Sequence, residues 1–117
     1  MGQETKRHDI TKKKVVYQVS AAHAVKIRQD VEYRVADNDV LTMDIYHPSD
    51  SKSGARIPAV IFVSGYSDPG VQRMLGCKFK EMESYISWGQ LTAASGLVAI
   101  TYTTSKEPAA DIHDLIQ

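Results

Sequence analysis

The sequence predicts an α/β fold, and three patterns along the chain carry this prediction. The first is a pair of alternating apolar and polar segments around the turn Asp37-Asn38-Asp39, which is typical of a β-hairpin. The second is two runs that are apolar on both faces, Ala59–Val63 and Leu97–Tyr102, as in strands of a covered parallel sheet. The third is the helical spacing of apolar residues over Glu81–Ser95. Together they predict a hairpin followed by a strand–helix–strand unit.

The hairpin is predicted from Val31–Val35, which alternates strictly, and from Val40–Tyr46, which alternates less cleanly and forms the return strand. Two segments before it are open to more than one interpretation. Val15–Val19 is a short β-prone run. Ser20–Asp30 contains alanines that favour a helix, yet no residue caps it clearly.

The segments after the hairpin divide into loops and helices by composition. Pro48–Arg56 and Ser64–Gly76 are rich in Gly, Pro, Ser and Asp, so both are predicted to be loops. Gly96 follows the predicted helix where a C-terminal glycine belongs. Pro108 suits the first turn of a last helix, within which the chain stops. The predicted architecture is therefore incomplete, and a complete small α/β domain with a helical C-terminus is the alternative.

Charge is unevenly distributed along this neutral chain of 117 residues. Met1–Lys14 holds five basic and two acidic residues, and the remainder holds nine basic and twelve acidic residues. No aromatic or structured basic face accompanies the leader, so it is predicted to be a disordered, solvated tail and not a nucleic-acid-binding arm. The folded domain is then expected to comprise residues 15–117.

The lone cysteine, Cys77, excludes an intramolecular disulfide and fits a reducing compartment. Lys12–Lys14 interrupt any signal-peptide core, and no apolar run approaches the roughly 18 residues that a membrane span needs. We therefore expect a cytoplasmic protein without a membrane partner.

Three segments in this order resemble the N-terminal portion of esterases and dienelactone-hydrolase-like proteins of the α/β-hydrolase fold. They are Leu41–Pro48 (LTMDIYHP), Ile57–Tyr66 (IPAVIFVSGY) and Trp88–Tyr102 (WGQLTAASGLVAITY). The family begins with an antiparallel pair whose second strand often follows L-x-x-D-x-Y-x-P, and a buried strand then leads to an oxyanion loop. The resemblance covers about Val31 to Gln117. It implies the N-terminal half of an α/β-hydrolase sheet: a hairpin, a βαβ unit and the start of a second helix.

Gly65 and Tyr66 are the candidate catalytic residues that this resemblance implies. Many esterases carry His-Gly-Gly after the buried strand. This loop is closer to members with a single Gly before an aromatic residue, as in cutinase-like polyester hydrolases. There the backbone N–H after the Gly donates to the oxyanion, so Tyr66 takes that role by resemblance, and its ring could line the acyl pocket. The alternative is a plain turn at the end of a strand, with a surface tyrosine.

The nucleophile elbow G-x-S-x-G is absent from the sequence. Gly65-Tyr66-Ser67 begins like one, but Pro69 takes the place of the last glycine. In the family the elbow follows the strand after the second helix, and the acid and the histidine come later. The chain is thus expected to be a truncated hydrolase that keeps the oxyanion loop, lacks the nucleophile, acid and base, and catalyses nothing by itself.

Ser64, Ser67 and Cys77 are the other nucleophile candidates. A serine needs an adjacent base that a third group orients, and His47 and His113, the nearest histidines in sequence, have no motif around them. Some dienelactone hydrolases use a cysteine, but theirs occupies the elbow. Small loop residues and an inert thiol are the favoured interpretations.

No metal or organic cofactor is predicted. His8, His23, His47 and His113 share no metal-ligand spacing, and no Gly-rich phosphate loop is present. The resemblance implies that the parent architecture hydrolyses a small-molecule carboxylic ester or a related acyl compound with a serine-type nucleophile.

Two alternatives to the hydrolase hypothesis are open. One is a non-enzymatic α/β module for binding or dimerisation, and the other is a wrongly assigned reading frame without a selected function. In the family, the strand bearing the oxyanion loop lies between the strand after the first helix and the strand that carries the nucleophile. By analogy Ala59–Val63 pairs with Leu97–Tyr102 on one side only. Its other side is the predicted edge for self-association or for a partner that adds a strand.

Overall fold

A computed structural model describes residues 9–14, 25–36, 38–48, 56–63 and 67–117. They form a four-stranded sheet with helices, so the predicted α/β class is confirmed. The strands are β1 (Lys26–Ala36), β2 (Asp39–His47), β3 (Ala59–Ile61) and β4 (Val98–Tyr102). The helices are α1 (Asp68–Leu75), α2 (Glu83–Ala94) and α3 (Pro108–Leu115), with short 3-10 turns at Ile10–Lys12 and Phe79–Glu81.

The strand order in the sheet is β1-β2-β4-β3. β2 runs antiparallel to both of its neighbours, whereas β3 and β4 are parallel and are joined through α1 and α2. β3 pairs with β4 in the register Ala59↔Val98 to Ile61↔Ile100. β1 and β3 are therefore the two edges of the sheet that the described residues form.

The predicted hairpin is confirmed, and its first strand begins earlier than the alternation suggests. Asn38 has the left-handed φ of 65° that a tight turn between two strands requires. Lys26–Asp30, part of the ambiguous segment Ser20–Asp30 whose alanines favour a helix, belongs to β1. An irregularity in pairing between Arg28 and Val31 places Asp30 at a φ of 57°. Residues 15–24 lie outside the described residues.

The prediction of one continuous loop over Ser64–Gly76 is wrong for Asp68–Leu75, which forms α1. Pro69 lies in the first turn of this helix, where its missing N–H costs no hydrogen bond. Gly76 ends the helix at a φ of 81°, and its N–H donates to the Gln72 carbonyl at 2.9 Å. Proline and glycine mark the two ends of a short helix here, and composition alone cannot distinguish that arrangement from a loop.

The helix predicted over Glu81–Ser95 is confirmed as α2, with the left-handed Gly96 just beyond its C-terminus. α2 packs on one face of the sheet, where Tyr46, Ala93 and Ala99 are at most 1% exposed. Gly89 makes this close approach possible: a Cβ at that position would lie 2.7 Å from the Tyr46 ring. A substitution there would force the helix away from the sheet.

The opposite face of the sheet is less covered. Ile45, Ile100 and Ile61 lie side by side across β2, β4 and β3, and all three are partly exposed. α3 packs against β1, at the far side of the sheet from β3.

A single arginine holds α3 to β1. The Arg34 guanidinium lies 3.2 Å from Asp111, 3.4 Å from Glu107 and 3.4 Å from Asp114. The Asp111 carboxylate is fully buried and also accepts hydrogen bonds from the Ser105 N–H and hydroxyl. The helix that was predicted to begin at Pro108 is confirmed as α3.

Residues 9–14 of the predicted leader include a 3-10 turn that Asp9 caps by accepting from the Thr11 N–H. The Lys14 ammonium lies 3.9 Å from Glu83 at the start of α2. Residues 1–8 lie outside the described residues, so the predicted disorder of the leader stays a prediction. None of the helices in the described ranges has the length and apolar character to cross a bilayer.

Candidate functional site

A cleft of about 610 Å³ opens where β4 ends. Three segments form its walls: the tip of the hairpin, the region of α1 and the turn after it, and the segment that leaves β4. Its lining residues are Ala36, Asp39, Val40, Leu41, Asp68, Pro69, Gln72, Lys78, Thr103, Thr104, Ser105 and Lys106. Open α/β sheets bind ligands outside the carboxyl ends of their strands, and this cleft has that position relative to β4. It is therefore the candidate functional site.

Asp68 joins the start of α1 to the end of β4. Its buried carboxylate accepts hydrogen bonds from the Thr104 N–H at 2.5 Å and from the Phe79 N–H at 2.9 Å. Its own N–H donates to the Thr104 hydroxyl oxygen at 2.8 Å. Because both carboxylate oxygens are occupied by groups from two other segments, Asp68 fixes this wall of the cleft and is not a free base.

The floor of the cleft is fixed by Thr103 in the same way. Its N–H donates to the Thr42 carbonyl at 2.9 Å, its hydroxyl oxygen accepts from the Thr42 N–H at 2.9 Å, and its carbonyl accepts from the Tyr33 hydroxyl. Burial raises the pKa of Tyr33, and the nearby Asp111 carboxylate raises it further, so this hydroxyl stays a donor at neutral pH. The backbone and hydroxyl groups of Thr103 are thus hydrogen-bonded to other strands and stabilise the fold.

Three charged side chains of the lining are not used in this way. Within the described part of the chain, Lys78, Lys106 and Asp39 make no ion pair. Lys78 follows α1, Lys106 follows β4, and Asp39 begins β2. These groups are the ones available to a ligand.

The predicted oxyanion residues, Gly65 and Tyr66, lie outside the described residues. The residues that flank them are placed: the Phe62 N–H donates to the Ile100 carbonyl at 3.0 Å at the end of β3, and Asp68 lies in the cleft wall. The chain thus reaches the cleft two residues after Tyr66. Ser64 also lies outside the described residues.

The remaining candidates for a serine–histidine pair are not brought together at the cleft. Ser67, His47 and His113 are not among its lining residues. The His47 Nε2 atom is buried without a hydrogen-bond partner in the described residues, whereas His113 is exposed beside Asp114 at 3.3 Å. No serine–histidine pair lines the cleft in the described part of the chain.

Cys77 has the character of an unreactive thiol. Burial raises its pKa, and the carboxylates of Glu81, Asp9 and Asp68 raise it further. At neutral pH the thiol therefore stays protonated, and only the thiolate is a strong nucleophile. The raised pKa is in keeping with the expected inert thiol.

Sequence reasoning missed a second polar cluster, formed by Lys80, Asp44 and Asp30. The buried Lys80 ammonium lies 2.7 Å from the Asp30 carboxylate and 3.0 Å from that of Asp44. Asp44 also accepts the Asp30 N–H at 3.0 Å, so the irregular turn in β1 is tied to β2. The sequence indicates this cluster at one position only: Asp44 is two residues from Tyr46 in β2, so both side chains lie on the covered face of the strand.

The charges of this cluster reinforce one another. Burial alone would lower the pKa of Lys80, but its hydrogen bonds to Asp30 and Asp44 outweigh burial, and the net pKa is raised. The Lys80 hydrogen bond lowers the pKa of Asp30. Both groups are therefore charged at neutral pH, and Lys80 is not an amine nucleophile.

No group of three or more candidate metal ligands occurs among the described residues. Comparisons with protein-family models, with curated proteins and with solved structures found no match for this chain. The chemistry of the cleft and the topology around it are thus the grounds on which a function is proposed.

Proposed function

We propose that this chain is the oxyanion-loop portion of an α/β-hydrolase-type ester hydrolase, and that its cleft accepts a carboxylic ester or a related acyl compound. The observation that carries the proposal is the strand order β1-β2-β4-β3, with β2 antiparallel and β3 parallel to β4. The resemblance implies this arrangement: a leading hairpin, then the loop-bearing strand outside the strand that follows the helix.

The chemistry expected of the loop is electrostatic. Acyl transfer builds negative charge on the carbonyl oxygen, and a backbone N–H aimed at that oxygen stabilises it. Loss of one such donor costs on the order of 100- to 1000-fold in rate. In the proposal Tyr66 supplies the N–H, and Gly65 lets the backbone approach the substrate. The bonds between Asp68 and Thr104 support this role, because they anchor the chain two residues beyond Tyr66.

The proposal assigns no nucleophile to residues 1–117. No G-x-S-x-G motif occurs in the sequence, and Ser67, His47 and His113 are apart from the cleft lining. We expect the purified chain to hydrolyse p-nitrophenyl butyrate no faster than a variant with Ser64→Ala, Ser67→Ala and Cys77→Ala. Turnover that disappears in that variant would reveal a nucleophile within the chain.

Ligand binding tests the proposal directly. Ethyl butyrate titrated into the ¹⁵N-labelled chain should shift the amide signals of Thr103–Lys106 and of the residues that begin α1. Signals of α2, on the covered face of the sheet, are the internal control and should not move. Absence of saturable shifts at the cleft would refute an acyl-binding site. The coding DNA beyond the Gln117 codon offers a second test, since a downstream G-x-S-x-G would supply the expected nucleophile.

The second candidate function is a non-enzymatic module that pairs through its sheet edge. The observation in its favour is the outer side of β3, which has no neighbouring strand among the described residues. The Val98 N–H donates to the Pro58 carbonyl and the Phe62 N–H donates to the Ile100 carbonyl. Because backbone groups alternate along a strand, the N–H and C=O groups of Ala59 and Ile61 point away from β4. No strand in the described part of the chain pairs with them, so this edge can accept another strand.

A further inference from the structure

The cleft beyond β4 has the dimensions of a small-molecule site and a wall of mixed polar and apolar character. Its volume of about 610 Å³ falls within the ~300–1,000 Å³ typical of ligand pockets. Threonine, serine, glutamine, lysine and aspartate contribute most of its lining, and Leu41 is the buried aliphatic residue among them. A ligand of this cleft therefore meets both polar groups and an apolar surface.

Several polar groups of the wall are already committed to the fold. The Asp68 carboxylate binds the N–H groups of Thr104 and Phe79, and the Ser105 hydroxyl donates to Asp111. Asp68 also lies in the first turn of α1, where its charge offsets the positive end of the helix. The backbone of α1 is thus not the source of an attraction for anions.

Among the described residues, Lys78 and Lys106 are the cations of the lining that make no ion pair, and Asp39 is the anion of the lining that makes none. The Lys78 charge also helps to lower the pKa of Asp30 from outside ion-pair distance. The two lysines come from different segments, one after α1 and one after β4, so they approach the cleft from separate parts of the chain. An ammonium group is a compact charge with three donors, and it binds carboxylate and phosphate oxygens well.

We propose that this cleft binds a small molecule through an oxyanion group, a carboxylate or a phosphate, held by Lys78 and Lys106. The Asp39 carboxylate repels an anion, so the anionic group of the ligand must lie near the lysines and away from Asp39. The inference does not require ester hydrolysis, since it concerns the charge of the ligand and not its reaction.

The test measures amide shifts of the full ¹⁵N-labelled chain at constant ionic strength. Inorganic phosphate, succinate and neutral succinamide are titrated separately. We expect saturable shifts at Thr103–Lys106 with at least one of the two anions and not with succinamide. Saturation with phosphate alone or with succinate alone identifies which oxyanion the cleft prefers.

Charge variants assign the contacts. Lys78→Met and Lys106→Met keep the apolar stems, and each should weaken anion binding roughly fivefold, as expected for a partly exposed ion pair. Asp39→Asn should strengthen anion binding by a similar factor. Arg73→Met is the matched control, because Arg73 is an exposed cation of α1 that is not among the lining residues.

Three outcomes would overturn the inference. They are shifts that rise linearly without saturation, unchanged affinity in both lysine variants, and an equal loss in Arg73→Met, which would indicate a general charge effect. Failure of the hydrolase proposal is distinguishable, because it appears in the ethyl butyrate titration and not in the comparison of anions with succinamide.

Discussion

The Lys80 ammonium is buried between two carboxylates, and its energetic value depends on which partner is removed. Lys80 and Asp44 are each less than a tenth exposed, so neither can exchange its partner for water. A buried ion pair adds little net stability over apolar residues of the same shape, but a single unpaired buried charge is costly. The cluster should therefore behave as a coupled unit.

The first prediction at this scale concerns that coupling. Lys80→Met should destabilise the chain by about 3–5 kcal/mol, because it leaves Asp44 buried and charged without its partner. Adding Asp44→Asn should recover part of the loss, since the amide oxygen can still accept the Asp30 N–H and carries no charge. Urea denaturation of the wild type, both single variants and the double variant measures the coupling. Additive losses in this cycle would contradict the coupled unit.

The second prediction concerns acid stability. The folded-state pKa of Asp30 lies below its unfolded value of about 3.9, because Lys80 favours the carboxylate. Asp30 thus contributes stability above that unfolded pKa, and the contribution is lost as pH falls through the folded pKa. Lys80 shows the opposite pH dependence, because its pKa is raised in the folded state. Its contribution to the free energy of unfolding is complete below the unfolded pKa of about 10.4 and is lost as pH rises through the folded pKa.

Asp30→Asn separates these effects. Asparagine tolerates the left-handed backbone of this position, so the substitution removes charge with little added strain. Urea midpoints from pH 2 to 7 should fall less steeply on the acid side in Asp30→Asn than in the wild type. Identical acid profiles for the two proteins would show that Lys80 does not stabilise the Asp30 carboxylate.

The sequence alone could place Asp44 but not its partner. Alternation along β2 puts Asp44 on the same face as Tyr46, and a carboxylate on a covered face requires a donor. Lys80 comes from a 3-10 turn that is remote in sequence, and no local pattern marks it as buried. The contact between Lys80 and Asp44 depends on how the elements pack in three dimensions, and the spacing of residues along the sequence does not predict that packing.

At the scale of elements, α1 shows how the same residues can signal a loop or a helix. Its eight residues include a proline and a glycine, and both were counted as loop formers. The hairpin and α2 were predictable because their apolar periodicity extends over many residues. A helix of two turns has too few residues for its apolar periodicity to be recognised, so proline in its first turn and the glycine that ends it are its main sequence signals.

The third prediction tests the C-cap of α1, which is Gly76, against Gly70 within the helix. Gly76→Ala should cost about 1 kcal/mol, because the C-cap needs a left-handed φ, which alanine adopts poorly, although no atom lies within 4 Å of the added Cβ. Gly70→Ala is the matched control, since Gly70 lies within the helix and its Cβ would make an ordinary 3.5 Å contact with the Ser67 hydroxyl oxygen. It should be neutral or stabilising by about 0.5 kcal/mol. Urea denaturation compares them, and equal effects would argue against α1 as a helix capped by Gly76.

At the scale of the whole molecule, the strand order and the cleft are the two features that the sequence pattern alone does not predict. Periodicity gives the strands and α2, but it does not say that β4 lies between β2 and β3. The cleft is formed by the hairpin tip, α1 and the end of β4, three segments that the chain separates by dozens of residues. Lys78 comes from the turn after α1 and Lys106 from the segment after β4, so the packing of these segments, and no local pattern, brings the two lysines to one cleft.

The sheet has two edges, and their side chains differ in a way that predicts association. β1 is rich in exposed charged residues, which discourage pairing with another strand. β3 carries no charge, and its outward N–H and C=O groups have no neighbouring strand among the described residues. Beside it, the row of Ile61, Ile100 and Ile45 is only partly covered. An uncharged edge next to an apolar face favours self-association.

The last prediction is that the isolated chain is not a stable monomer and associates through Ala59–Val63. Size-exclusion chromatography with light scattering should find dimers or larger species for the wild type. Ile61→Lys should shift the population towards monomer, because a charge beside the outward edge opposes pairing. Val35→Lys is the control: Val35 is 66% exposed on β1, at the opposite edge, and its substitution should leave association unchanged. A wild-type chain that folds cooperatively as a monomer would contradict both the free edge at β3 and the hydrolase half-sheet from which it was predicted.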